Sequence, residues 1–170
     1  ATLYVLVWNV ALSAHSPGSA AGEVEALESM EQKMVGWATL IQTCAPGSKV
    51  ILVASHADEI DDQSLVRSRC SQMVTAISAS LRTTAAAQER ELDGLRERDP
   101  EAYAARIRHL QRVVSQPLRL SEEAIAVSAK TLAGFADLRE QLVTAAFDSD
   151  AFPEFGRPQP NTYASILRAA

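Results

Sequence analysis

Two short polar clusters, Ser55-His56-Ala57-Asp58 and Ser128-Ala129-Lys130, each directly follow an apolar run. A carboxylate such as that of Asp58 can accept two parallel hydrogen bonds from adjacent N–H donors, the pattern that guanine presents at N1 and its exocyclic amine. Adenine has an acceptor at N1 and is rejected by the same group. In this reading Asp58 reads the base edge and the backbone N–H of Ala129 meets the guanine carbonyl oxygen. The methylene stem of Lys130 covers one face of the ring and His56 the other, while Ser55 and Ser128 open the two clusters. A metal site or acid–base pair built on His56 and Asp58 is disfavoured. One His and one carboxylate fall short of three ligands, and His15 and His109 bear no fixed relation to them. Neither cluster is specific alone; the reading rests on both occurring, in order, after strand-like segments.

To share a ligand, the clusters must end neighbouring strands. Val50 to Ala54, entered through the surface charge Lys49, and Ala124 to Val127 read as buried strands. Leu3 to Val10, apolar at nearly every position, predicts a parallel strand covered on both faces and central in its sheet. Val24, Leu27, Met30, Met34, Trp37 and Ile41 recur at helical spacing, so an amphipathic helix is expected over 23–44, with Met30, Met34 and Trp37 in the core. Strand, helix and strand in that order imply a right-handed parallel βαβ unit. Asp58 then lies at the carboxyl end of a strand, where open α/β sheets bind ligands.

Further on, Leu65, Cys70, Met73, Ile77 and Leu81 predict one helix. Asp99-Pro100 reads as the N-cap and first position of a second, carrying Tyr103, Ile107, Leu110 and Val114. The mixed-charge stretch 85–98 reads as a solvated helical surface or hairpin tip rather than a binding patch. Leu132, Phe135, Leu138, Leu142 and Ala146 trace a last helix, and the domain is expected to end near Asp150. Pro153, Gly156, Pro158 and Pro160 then read as a linker, and Asn161 as the cap of a helix on which Tyr163 packs.

A chain of 170 residues with 47% hydrophobic content is long enough for one globular domain. A net charge of −5 gives no sequence-wide attraction to nucleic acid or anionic lipid. Two cysteines without Cys-x-x-Cys spacing suggest no disulfide framework, and no apolar run is long enough to span a bilayer. A soluble, cytoplasmic protein is expected. The chain opens at Ala1, without Met, against a strand, so preceding sequence is expected to have been left out.

The two clusters, in this context, resemble the Ras-like GTPase fold from its fourth strand onward. Asp58 stands at the Asp of the Asn-Lys-x-Asp motif, and Ser128-Ala129-Lys130 matches Ser-Ala-Lys. A His in place of the motif Lys, after Val-Ile-Leu-Val, is similar to the Roc (Ras of complex proteins) domains of Roco proteins. The opening Leu3-Tyr-Val-Leu-Val-Trp-Asn-Val10 resembles the strand after switch II in that family, and 152–163 resembles the junction into the COR (C-terminal of Roc) domain. The resemblance implies a Ras-like P-loop NTPase fold, three layers α/β/α around a mostly parallel sheet. Strands four to six would be present, with a helical insertion over about 62–120. Residues 1–150 would be the C-terminal half of a Roc domain, and 151–170 the linker and start of COR.

What the resemblance implies for function is a GTP/GDP-binding switch with slow hydrolysis in the intact domain, signalling through COR in cis and through a dimer. The alternative is a pseudo-GTPase scaffold without turnover. The sequence departs from the family in Ser55, which replaces Asn. It also lacks Gly-x-x-x-x-Gly-Lys-Ser/Thr and Asp-x-x-Gly, so magnesium is expected only with the absent phosphate-binding half, and this chain alone should not hydrolyse GTP. In that topology the outer edge of the Leu3 strand is unpaired, which invites aggregation, swapping or completion by a second polypeptide.

Overall fold

The computed structural model describes residues 2–11 and 20–148. Three parallel strands, β1 (Leu3–Asn9), β2 (Lys49–Ser55) and β3 (Arg119–Ala126), form a sheet in the order β1-β2-β3. Four α-helices accompany them: α1 (Ala20–Cys44), α2 (Gln63–Arg98), α3 (Ala104–Ser115) and α4 (Phe135–Ala146). The described chain is thus an α/β protein with a small parallel sheet.

β2 is the centre of the molecule. Its five consecutive apolar residues, Val50 to Ala54, are all buried, because alternate side chains serve two different cores. Val50, Leu52 and Ala54 face Met34, Ala38 and Ile41 of α1 and Val66, Met73 and Ile77 of α2. Ile51 and Val53 face Leu138, Leu142 and Ala145 of α4 on the opposite side. β1 is an outer strand, with the unpaired outer edge expected of it in this chain: among the described residues its only strand partner is β2, and Val5 and Val7, expected to be covered, are exposed. Apolar residues on both faces report what lies above and below a strand, not how many strands flank it.

Helix boundaries differ from expectation in instructive ways. α2 runs unbroken to Arg98, absorbing the mixed-charge stretch as a helical surface. Its formers Ala, Gln, Glu and Arg outweigh Gly94. Leu92 also gains a buried partner pair in Ile107 and Leu110. Asp99 does cap a turn, accepting from the backbone of Glu101 and Ala102, but α3 begins only after it, at Ala104. Tyr103 is therefore exposed, and Val113 rather than Val114 is buried. β3 starts at Arg119, five residues before its apolar part, through pairing with Lys49 and Val50 and a register shift between Val50 and Leu52.

Two expected core residues lie outside it. Trp37 is 57% exposed on α1, and Leu132, 70% exposed with φ 60°, precedes α4 instead of belonging to it. Gln42 of α1 takes a core position instead. Buried, it donates to Val113 O at 2.8 Å and accepts from Leu118 N, sealing the passage from α3 into β3. Lys49, expected as a strand-entry surface charge, enters β2 and pairs with Asp148 at 3.0 Å. The segment around His15 and the tail with Asn161 and Tyr163 lie outside the described residues. Among the described residues no helix is long and apolar enough to cross a membrane.

Candidate functional site

The carboxyl ends of β2 and β3 lie side by side, with Ala54 in register with Ala126. Parallel pairing brings the two polar clusters together, although 72 intervening positions separate Ser55 from Ser128. Two contacts lock them. The N–H of Ala57 donates to Val127 O at 3.2 Å. The buried Ser128 hydroxyl, 1% exposed, bonds the Asp58 carboxylate. That hydrogen bond is the main reason the Asp58 carboxyl is held below the usual carboxylate range, with the charges of Lys130 and His56 adding to it. Asp58 is therefore ionised at neutral pH and able to accept from paired N–H donors.

Each loop is shaped by its own local bonds. His56 is exposed and occupies the left-handed region (φ 61°, ψ 32°), which turns the chain sharply from β2 into the 3-10 turn Ala57–Glu59. Ser55 Oγ donates to Trp8 O at 3.0 Å, tying the end of β2 to β1. Its one proton is thereby committed, so His56 Nδ1, 3.0 Å from the same oxygen, acts as the donor between them. The imidazole is thus tethered back to Ser55. Across the cleft, Thr131 N donates to Ser128 Oγ at 3.1 Å and Ser128 N to Ala133 O at 3.1 Å. Ala129 and Lys130 form the exposed tip of this turn.

Several contributors escaped sequence reasoning. Gly134 (φ 75°) closes the second loop, and a Cβ there would sit 2.0 Å from Ala126 O, so only glycine permits this approach. Thr131 supplies the backbone donor that orients Ser128. Asn9, opposite Ser55 in the β1–β2 register, accepts from Ala11 N at 2.8 Å, and Arg69 holds Val10 O at 2.8 Å. A polar residue at the last position of a strand was the available signal for Asn9, and a glycine just ahead of an amphipathic helix that for Gly134.

The ledge presents one ionised carboxylate acceptor beside an exposed turn. Among the described residues no three His, Cys, Asp or Glu side chains converge to hold a metal ion. A groove of about 790 Å³ lies elsewhere, between the outer edge of β3 and α4, lined by Glu122, Glu123, Asp137 and Glu140 among others. The comparisons add no relative: no family model, no curated protein and no solved structure matches the chain.

Proposed function

We propose that the ledge formed by Ser55, His56, Asp58, Ser128, Ala129 and Lys130 recognises a guanine base. The protein would then contribute the base-reading half of a GTP/GDP-binding switch resembling the Roc domains of Roco proteins, with a Ras-like sheet order, COR in cis and a homodimer. The observation that carries this reading is the Asp58–Ser128 pairing between adjacent strand ends, which holds the carboxylate below the usual range and so ionised at neutral pH. Asp58 would accept from guanine N1–H and the exocyclic amine, and the exposed turn at Ala129 would offer a backbone N–H to the carbonyl oxygen. Lys130 would lay its stem along one face of the ring. His56, tethered to Ser55, would border the base on the β2 side rather than reach over it as a lysine would.

Hydrolysis is assigned to no residue here, because phosphate positioning belongs to a segment these 170 residues do not contain. The second reading is a scaffold that keeps the shape of a switch without turnover. Calorimetry with GDP on a longer chain carrying the preceding half tests both. Guanine-selective binding that Asp58→Ala weakens supports the first reading; undetectable binding by a well-folded chain supports the second. Affinity unchanged in Asp58→Ala sinks the assignment of the base reader.

A further inference from the structure

α3 folds back on the half of α2 that runs past Leu81, and the two share a small core, Leu92 with Ile107 and Leu110, separate from the cores on the sheet. The limbs of this hairpin carry opposite charge. Glu89 to Glu101 holds six carboxylates against three arginines, whereas Ala102 to Leu120 holds four arginines and no carboxylate, in a chain of net −5. Attraction between the limbs does not account for all four. Arg106 forms its two-pronged pair with Glu91, and Arg119 stands 3.9 Å from Asp148, but the side chains of Arg108 and Arg112 have no hydrogen-bond or ion-pair partner among the described residues. Ile107, Leu110 and Val113 are the buried face of α3. At about 100° per residue, Arg108 and Arg112 lie on the opposite side, one turn apart, where Ala105, Gln111 and Ser115 are exposed with them.

We propose that the outer face of α3 docks an acidic helical segment of a partner protein, with one carboxylate of the partner on each of Arg108 and Arg112. The face shares no residue with the ledge, so it stands independently of guanine binding. A guanidinium group offers its donors in a planar fork that a carboxylate fills with two parallel bonds. Arg106 and Glu91 already show that geometry within the hairpin. Spacing selects a helix. Carboxylates four residues apart on a partner helix repeat the one-turn interval between Arg108 and Arg112, so both pairs form in a single docked orientation. Ala105 and Ser115 are small, which lets a second backbone come close beside the arginines. Net charge selects a peptide over a larger polyanion. A membrane or a nucleic acid is an extended negative surface that brings the rest of this acidic chain within a screening length of about 8–10 Å, whereas one helix meets α3 alone.

The test is an amide NMR titration of the 170-residue chain, without nucleotide, using an alanine-rich helical peptide that carries glutamates four residues apart. Binding at low salt is expected, with shifts concentrated at Arg108, Gln111, Arg112 and Ser115. Arg108→Glu combined with Arg112→Glu should weaken it at least about tenfold with unchanged circular dichroism. Arg108→Gln with Arg112→Gln, which removes charge without reversing it, should weaken it as well, while Arg139→Glu, an exposed arginine of α4, leaves it unchanged. The same peptide with glutamine in place of glutamate should not bind. Absence of binding overturns the proposal, as do shifts centred away from α3 or equal binding of the glutamine peptide. Capture of phosphatidylserine vesicles or single-stranded RNA through Arg108 and Arg112, with the acidic peptide left unbound, overturns it in favour of a different polyanion.

Discussion

The two outer strands of the sheet are finished in opposite ways. β3 carries Glu122 and Glu123 at a register shift, and charge and irregularity both discourage a further strand. Its ends are fastened as well, by the Lys49–Asp148 pair near one end and by Gly134 against Ala126 at the other. β1 has no such protection, and the Nε1 of its own Trp8 is buried without an acceptor among the described residues. A protein spends charge and bulges on an edge that stays in water. The contrast teaches that charge and irregularity finish β3, whereas β1 keeps an uncharged, apolar edge among the described residues.

The sharpest way to break this comparison is on the finished side. Gly134→Ala forces a Cβ onto the Ala126 carbonyl in a left-handed conformation and should cost about 3 kcal/mol in urea unfolding. A cost below about 1 kcal/mol would mean that the β3 end is looser than described. Next in size is the ledge that this closure supports: in the longer chain, Asp58→Ala should weaken GDP binding about a hundred-fold by calorimetry, since a site built on paired hydrogen bonds loses both.

Acid should act on the same ledge. The folded pKa of Asp58 is depressed, chiefly by the Ser128 hydroxyl, and that of Asp62 by Ser64. Such carboxylates contribute stability above their unfolded value of about 3.9, and that contribution disappears as pH falls through the lower folded values. Urea midpoints should therefore hold from neutral pH to about 5 and decline below about 4. Ser128→Ala should return the Asp58 titration, followed by carboxyl NMR, toward the ordinary range; an unmoved titration would remove Ser128 as its cause.

The smallest effects belong to exposed groups remote from either edge or already in water. Arg106→Ala breaks a two-pronged but exposed pair with Glu91 between α2 and α3 and should cost about 0.5 kcal/mol. On β1, Val7→Lys should change stability by no more than about 0.5 kcal/mol in urea unfolding, because the side chain is already largely in water. A large loss of stability there would show that β1 is already covered within one chain.

Much of the candidate site was legible because it depends on short-range patterns. Val50 to Ala54 could only be a buried strand, and the polar residues after it and after Val127 had to emerge at strand ends. Trp37 was misplaced because helical spacing defines an apolar stripe without saying how wide its covering will be. Leu132 was misplaced because a left-handed turn ahead of a helix leaves no periodic trace. The role of Gly134 depends on the distance to a carbonyl on another element, which no local pattern encodes.

The sequence by itself determined which segments are strands and helices, the charge of the edges, and the donor and acceptor types in the two clusters, since these follow from residue identity and local period. Only the tertiary structure decided that Ser128 touches Asp58, that His56 is drawn back to Ser55, and that Val7 and Trp37 stay exposed. The physical reason is register and layering: parallel pairing across a long excursion, and the seating of α1 relative to α2, are settled by packing among distant segments.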